Sequence, residues 1–133
     1  MHTQHETQAA YYYSCLYNSL VLLAASPDYL AKLAGPTFDP VFELEAEFDY
    51  AFRYPAFEEV FTTGKVSELL KDELLTLKSR VLALPPEAWH WDSISSAVAW
   101  QEIRVKADSL LTHLGELRRE YDFSFTIHIP SQS

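Results

Sequence analysis

Apolar residues recur at helical spacing along most of this chain. Between Gln8 and Ala25, Tyr13, Leu16, Tyr17, Leu20, Leu23 and Ala24 mark one face of a first helix. Ser26-Pro27 supplies an N-cap and a proline at the first helical position, so a short second helix is expected over residues 27–34. Gly35-Pro36 stops it, and Asp39-Pro40 repeats the start signal. From Ser67 the stripe Leu70, Leu74, Leu77, Val81, Leu84 predicts a helix that leaves Lys71, Lys78 and Arg80 outside and ends at Pro85-Pro86. Asp92 or Ser93 starts a further helical stretch, with Trp100, Ile103, Ala107, Leu110, Leu111 and Leu114 on one face and Gly115 as its stop. Trp100, Ile103, Leu110 and Leu114 are therefore expected to bury against Leu70, Leu74, Leu77 and Val81.

Two segments break this regularity. Residues 41–54 fit both periods. As a strand, Phe42, Leu44, Ala46, Phe48, Tyr50, Phe52 and Tyr54 share one face, with Glu43, Glu45, Glu47 and Asp49 on the other. As a helix, Val41, Leu44, Phe48, Ala51 and Phe52 form a narrow stripe. The Asp-Pro start and a length about twice the common strand of ~5–6 residues decide for helix. Pro55 interrupts it, and residues 56–61 add a turn or two before Gly64. At the C-terminus the period changes to two. Phe123, Phe125, Ile127 and Ile129 alternate with Asp122, Ser124, Thr126 and His128, predicting a short β-strand. That strand would pair with residues 42–54, pair with another chain, or stay loosely ordered. The fold expected is a mainly α, small single-domain helical bundle with this one C-terminal strand. Residues 1–8 form a flexible N-terminus, and 9–133 make the domain.

With 133 residues, 48% of them hydrophobic and 22% charged, an ordinary buried core is within reach. A single cysteine, Cys15, rules out an internal disulfide and suits a reducing cytoplasm. Its apolar surroundings make it an inert buried thiol. No basic-then-greasy leader opens the chain, and the longest apolar run, Leu20 to Ala25, falls far short of the ~20 residues a membrane span needs. A soluble protein is expected.

Charge adds the functional clue. The formal net charge is −9. Residues 1–63 carry nine acids against Lys32 and Arg53, whereas residues 64–133 are nearly balanced at ten against eight. Phosphate backbones would repel such a chain, so direct nucleic-acid binding is not expected. Most of the excess falls between Asp39 and Glu59, and either secondary structure exposes it. Two readings remain for Glu43, Glu45, Glu47, Asp49, Glu58 and Glu59. They solvate a helix face, or they meet a basic partner, with Phe42, Tyr50 and Tyr54 as aromatic anchors between them. Like charges one turn apart, without bases to mix them, speak for the partner.

Candidate chemistry is sparse. The five histidines (His2, His5, His90, His113, His128) show no zinc-ligand spacing, and the single Glu-x-x-His, Glu87 to His90, falls short of the two that a di-iron bundle needs. His113, near a helix C-terminus, is placed to meet the helix dipole. No glycine-rich loop cradles phosphate, so neither cofactor nor metal is expected. Trp89-His90-Trp91 packs a loop on the core or forms a stacking platform beside a pocket. That pocket would belong to a small helical enzyme or ligand-binding domain.

The stretch from Phe38 through Asp39-Pro40-Val41-Phe42-Glu43 to Phe52, with Pro86 to Trp91 and Trp100 to Arg104, resembles helical immunity proteins of bacterial polymorphic and contact-dependent toxin systems. The resemblance implies a non-enzymatic cytoplasmic inhibitor that covers a toxin domain, a nuclease being the kind of basic toxin an acidic inhibitor suits. It assigns no role to individual residues. A homodimer through the C-terminal strand is the structural alternative.

Overall fold

In the computed structural model, residues 3–123 are described, with side chains from Gln8 onward. Among them are seven α-helices: α1 (Thr3–Ala24), α2 (Pro27–Leu33), α3 (Pro40–Ala51), α4 (Ala56–Thr62), α5 (Lys71–Leu82), α6 (Trp91–Ser96) and α7 (Val98–His113). The described part is mainly α and contains no strand beyond an isolated Gly35–Phe38 bridge. The strand expected over residues 122–129 falls outside the described residues except for Asp122 and Phe123, which are not in a strand.

The caps behave as the sequence signals require. Ser26 Oγ accepts from Tyr29 N–H, Asp39 Oδ1 accepts from Val41 and Phe42, and Ser67 Oγ accepts from Leu69, satisfying donors that a helix start leaves orphaned. Gly115, at φ +85°, lets the chain turn out of α7. There Glu116 N–H reaches Leu111 C=O and Gly115 N–H reaches Thr112 C=O, closing a Schellman motif.

Several boundaries differ from expectation. Residues 41–54 are helical only as far as Ala51, so Phe52 caps α3 and Tyr54 lies beyond it. Helix α1 begins at Thr3, back within the polar leader. The stretch expected from Asp92 or Ser93 to Gly115 is two helices, broken at Ala97 with ψ 140°. The serines of α6 bond back to its own carbonyls. Ser95 Oγ donates to the carbonyls of Trp91 and Asp92, and Ser96 Oγ to that of Asp92, competing with the helical ladder.

One core joins all the helices. α1 runs through its centre, with α7, α3 and α4 packed around it and α5 and α6 on α7. From Ser14 to Leu23 every α1 residue is buried, the mark of a helix enclosed on all sides rather than on one face. Trp100, Ile103, Ala107, Leu110 and Leu111 of α7 and Leu74, Leu77 and Val81 of α5 are buried, as their periodicity predicts; Leu70, Leu84 and Leu114 are half-buried. Phe48, Phe52, Phe57 and Phe61 form a run of ring contacts from α3 into α4, with centroids 4.9, 5.5 and 5.0 Å apart. Lys71 and Lys78 are not simply outside. Their ammonium groups lie over Phe61 and Phe57, at 5.2 and 6.0 Å, covering the end of that run.

Candidate functional site: the outer face of α3

Asp39 and Pro40 start α3, and Leu44, Phe48 and Ala51 bury its inner side against α1. That fixes what points outward. Phe42 is 64% exposed, Tyr50 45% and Tyr54 76%. Phe42, Ala46 and Tyr50 follow one another at four-residue spacing, so they share a flank of the helix, and Glu45 and Asp49 form the exposed row beside it. Tyr50 leans on Tyr11 and Tyr12 of α1, with centroids 6.2 and 6.5 Å away, which extends the aromatic surface onto the neighbouring helix.

The acids do not form the uniform exposed stripe expected from the sequence. Glu47 is turned inward, where its Oε2 accepts from the Tyr121 hydroxyl. Burial pushes its carboxyl above the ordinary value of 4.5; the Tyr121 hydrogen bond opposes that shift, and the Glu43 charge adds to it. Glu43 is half-buried and is raised by burial and by Asp39. Asp49 is held by Arg53 in an i,i+4 pair at 2.6 Å, and Glu58 meets Lys71 at 3.3 Å. The signs are therefore mixed after all, locally by Arg53 on Asp49 and through the tertiary fold by Lys71 of α5 on Glu58 of α4. Glu45 is fully outward, and Glu59 half-buried. Of the sequence-chosen set, Glu45, Asp49, Tyr50, Tyr54 and Glu58 remain on the surface, and Glu47 belongs to the interior network.

That network is the feature sequence reasoning missed. After Gly115 the chain runs as a non-helical strap back across α1. Tyr13 Oη donates to Glu116 Oε2 at 2.6 Å, and Tyr17 Oη to the Glu120 carbonyl at 2.7 Å. Asn18 gives Nδ2 to the Asp122 carbonyl and takes the Asp122 N–H on Oδ1. A signal existed: Asn18 and Ser19 lie inside an apolar run, and a buried amide requires partners.

The remaining candidates play structural parts. Trp89 meets Trp100 edge-on at 5.0 Å, and Trp100 Nε1 donates to Ala88 C=O, so the loop is packed on the core. His90 is exposed and precedes α6. A groove of about 580 Å³ lies along α7 and is lined by Arg80, Val98, Gln101, Glu102, Val105, Lys106 and Ser109, with none of Trp89, His90 and Trp91 among them. His113 Nδ1 is 3.6 Å from Glu73 at the end of α7. Burial pushes the Cys15 thiol up to about 11, opposite to an activated nucleophile. Among the described residues no group of three or more His, Cys, Asp or Glu is gathered as a metal site would need, and no helix is long and apolar enough to cross a membrane.

The fold defines a small α-helical bundle. No protein-family model matches the chain, and no curated protein or solved structure matches it either.

Proposed function

We propose that this protein is a cytoplasmic, non-enzymatic inhibitor of the immunity type, binding a basic toxin domain through the outer face of α3. One observation carries the reading: Phe42 and Tyr50 on α3 and Tyr54 just beyond its end stay exposed beside Glu45 and Asp49, while Phe48, Phe52, Phe57 and Phe61 of the same region are buried in the core. Single exposed apolar side chains are ordinary, but a row of large rings flanked by charge is what interfaces use for anchors and rim. The likeness to immunity proteins along residues 38–52 points the same way.

In this reading Glu45 and Asp49 steer the encounter, and Phe42 and Tyr54 fill pockets on the partner. The partner is identified by pull-down from the native host, and binding is followed by surface kinetics at two salt concentrations. Glu45→Lys with Asp49→Lys is expected to slow association and leave dissociation nearly unchanged, since rim charges act mainly on the on-rate. Phe42→Ala and Tyr54→Ala are expected to speed dissociation. Wild-type association weakens as salt rises, because exposed charges are screened over ~8–10 Å at 0.1–0.15 M ionic strength. Unchanged rates in all these variants, with no salt dependence, would sink the proposal.

A further inference from the structure

Where α3 ends, the chain leaves a concave site against α5. It is a pocket of about 260 Å³, roomier than the ~150 Å³ apolar cavity that suffices for a benzene ring. Its inner lining is aromatic, supplied by Phe48 and Phe52, two stacked rings buried in the core. Its rim is apolar too, but open to solvent: Tyr54 follows α3, and Leu82, 66% exposed, is the last residue of α5. Two exposed apolar groups from different elements thus converge on one concavity, which a lone surface leucine does not do. The charged members of the lining are unequal. Arg53 is spent on Asp49, in the i,i+4 pair at 2.6 Å. Lys78 has no ion pair among the described residues, and its ammonium lies 6.0 Å from the centre of the Phe57 ring. Asp49 against Arg53 and Lys78 is one acid against two bases, so the pocket is locally positive in a chain whose formal net charge is −9. Aromatic surface beside an unmatched cation suits a ligand with a flat apolar body and one negative charge.

We infer that the pocket between the end of α3 and α5 is a binding site for a small aromatic carboxylate. The ring of the ligand packs on Phe52 between Tyr54 and Leu82, and its carboxylate accepts from Lys78 Nζ. An uncharged analogue would fill the same space and leave Lys78 unmatched. An ammonium in place of the carboxylate would meet Lys78 and Arg53 as like charges. Tyr54 and Asp49 also belong to the proposed interface, but the pocket needs no toxin partner, so this inference does not rest on the inhibitor reading.

The probe is naphthoate, titrated into the isotope-labelled full chain with backbone amide shifts as readout. Saturable shifts are expected around Asp49, Arg53, Tyr54, Lys78 and Leu82, with a Kd on the order of a millimolar for so small a ligand at an open site. Naphthamide, its uncharged counterpart, should bind about fivefold more weakly, the most that an exposed ion pair commonly contributes. Lys78→Met keeps an apolar stem over Phe57 and removes the charge, so it should bring naphthoate down to the level of naphthamide. Leu82→Glu, at an exposed position, sets a carboxylate on the rim and should weaken naphthoate further, with circular dichroism as the check on folding. The comparison of acid with amide uses the wild type alone and holds even where a variant fails to fold. No saturable shifts, shifts centred on the α7 groove around Val98 and Val105, or equal binding of acid and amide would each overturn the proposal. A folded Lys78→Met that binds naphthoate as wild type does would overturn it as well. None of these outcomes touches the inhibitor reading, whose own test is the partner's binding kinetics.

Discussion

Helices α1 and α3 both carry aromatic rings, four tyrosines on α1 and Phe42, Phe48 and Tyr50 on α3, yet the two helices spend them differently. On α1, Tyr12 and Tyr17 are buried, and the Tyr13 and Tyr17 hydroxyls hold the strap. On α3 the inner rings join the core, and Phe42 and Tyr50 face solvent. The difference is one of position. From Ser14 to Leu23 α1 is covered by α7, α3 and α4, so a polar atom there either finds a partner inside the protein, as Tyr17 and Asn18 do, or stays buried at a cost. α3 lies at the edge and needs only one buried stripe. Aromatic content alone does not tell a core helix from a binding helix; the number of neighbours does.

The sharpest break of this contrast is a truncation in the centre of α1. Leu20→Ala removes a fully buried side chain and is expected to cost roughly 2–5 kcal/mol in denaturant unfolding. A cost below ~1 kcal/mol would mean that α1 is not enclosed as described. Next comes a pair of substitutions two residues apart on α3. Glu47→Lys takes the acceptor from Tyr121 and places a cation in a half-buried site, for a loss of about 1–3 kcal/mol; Glu45→Lys, on the open face, should stay within ~0.5 kcal/mol. Equal effects would erase the division of α3 into an inner and an outer side.

Glu47 also has a pH signature. Its carboxyl is raised in the folded state, so the folded protein holds this proton more tightly than the unfolded chain does. Stability from this group is greatest below about 4.5 and declines as pH rises through the raised folded value. Glu47→Gln, which can still accept from Tyr121, should therefore gain on wild type as pH rises from 4 to 7 in thermal melts. A constant difference across that range would place Glu47 in open solvent.

Ser19 tests the other side of the comparison. Its Oγ is buried on α1 without a hydrogen-bond partner among the described residues. Ser19→Ala removes that uncompensated oxygen and should raise stability by about 1 kcal/mol. The smallest effect belongs to the exposed rings on α3 and just beyond its end. Phe42→Ala and Tyr54→Ala should move the melting transition by no more than ~0.5 kcal/mol, leaving any consequence to partner binding.

Much of this architecture was legible in the chain because it is local. Ser26-Pro27, Asp39-Pro40 and Ser67 are starts whose hydrogen bonds close within three residues, and Gly115 is a stop for the same reason. The stripes of α5 and α7 follow from 3.6-residue periodicity, which any single buried face imposes. The candidate surface was legible in its aromatic members, whose alternation with acids survives either secondary structure. It was not legible in its charges. Nothing near Glu58 in sequence announces Lys71, and nothing near Glu47 announces Tyr121, 74 residues away.

The sequence by itself determined the capped starts at Ser26, Asp39 and Ser67, the stop at Gly115, the amphipathic stripes of α5 and α7, and that acidity concentrates in the first half. Only the tertiary structure decided which helix is enclosed, which acids are spent inside, and that residues 120–122 lie in a cleft of side chains. The reason is range. Caps and periodicity are set by atoms a few residues apart, whereas burial and pairing depend on which surfaces meet when distant segments pack, a property that no local window of residues contains.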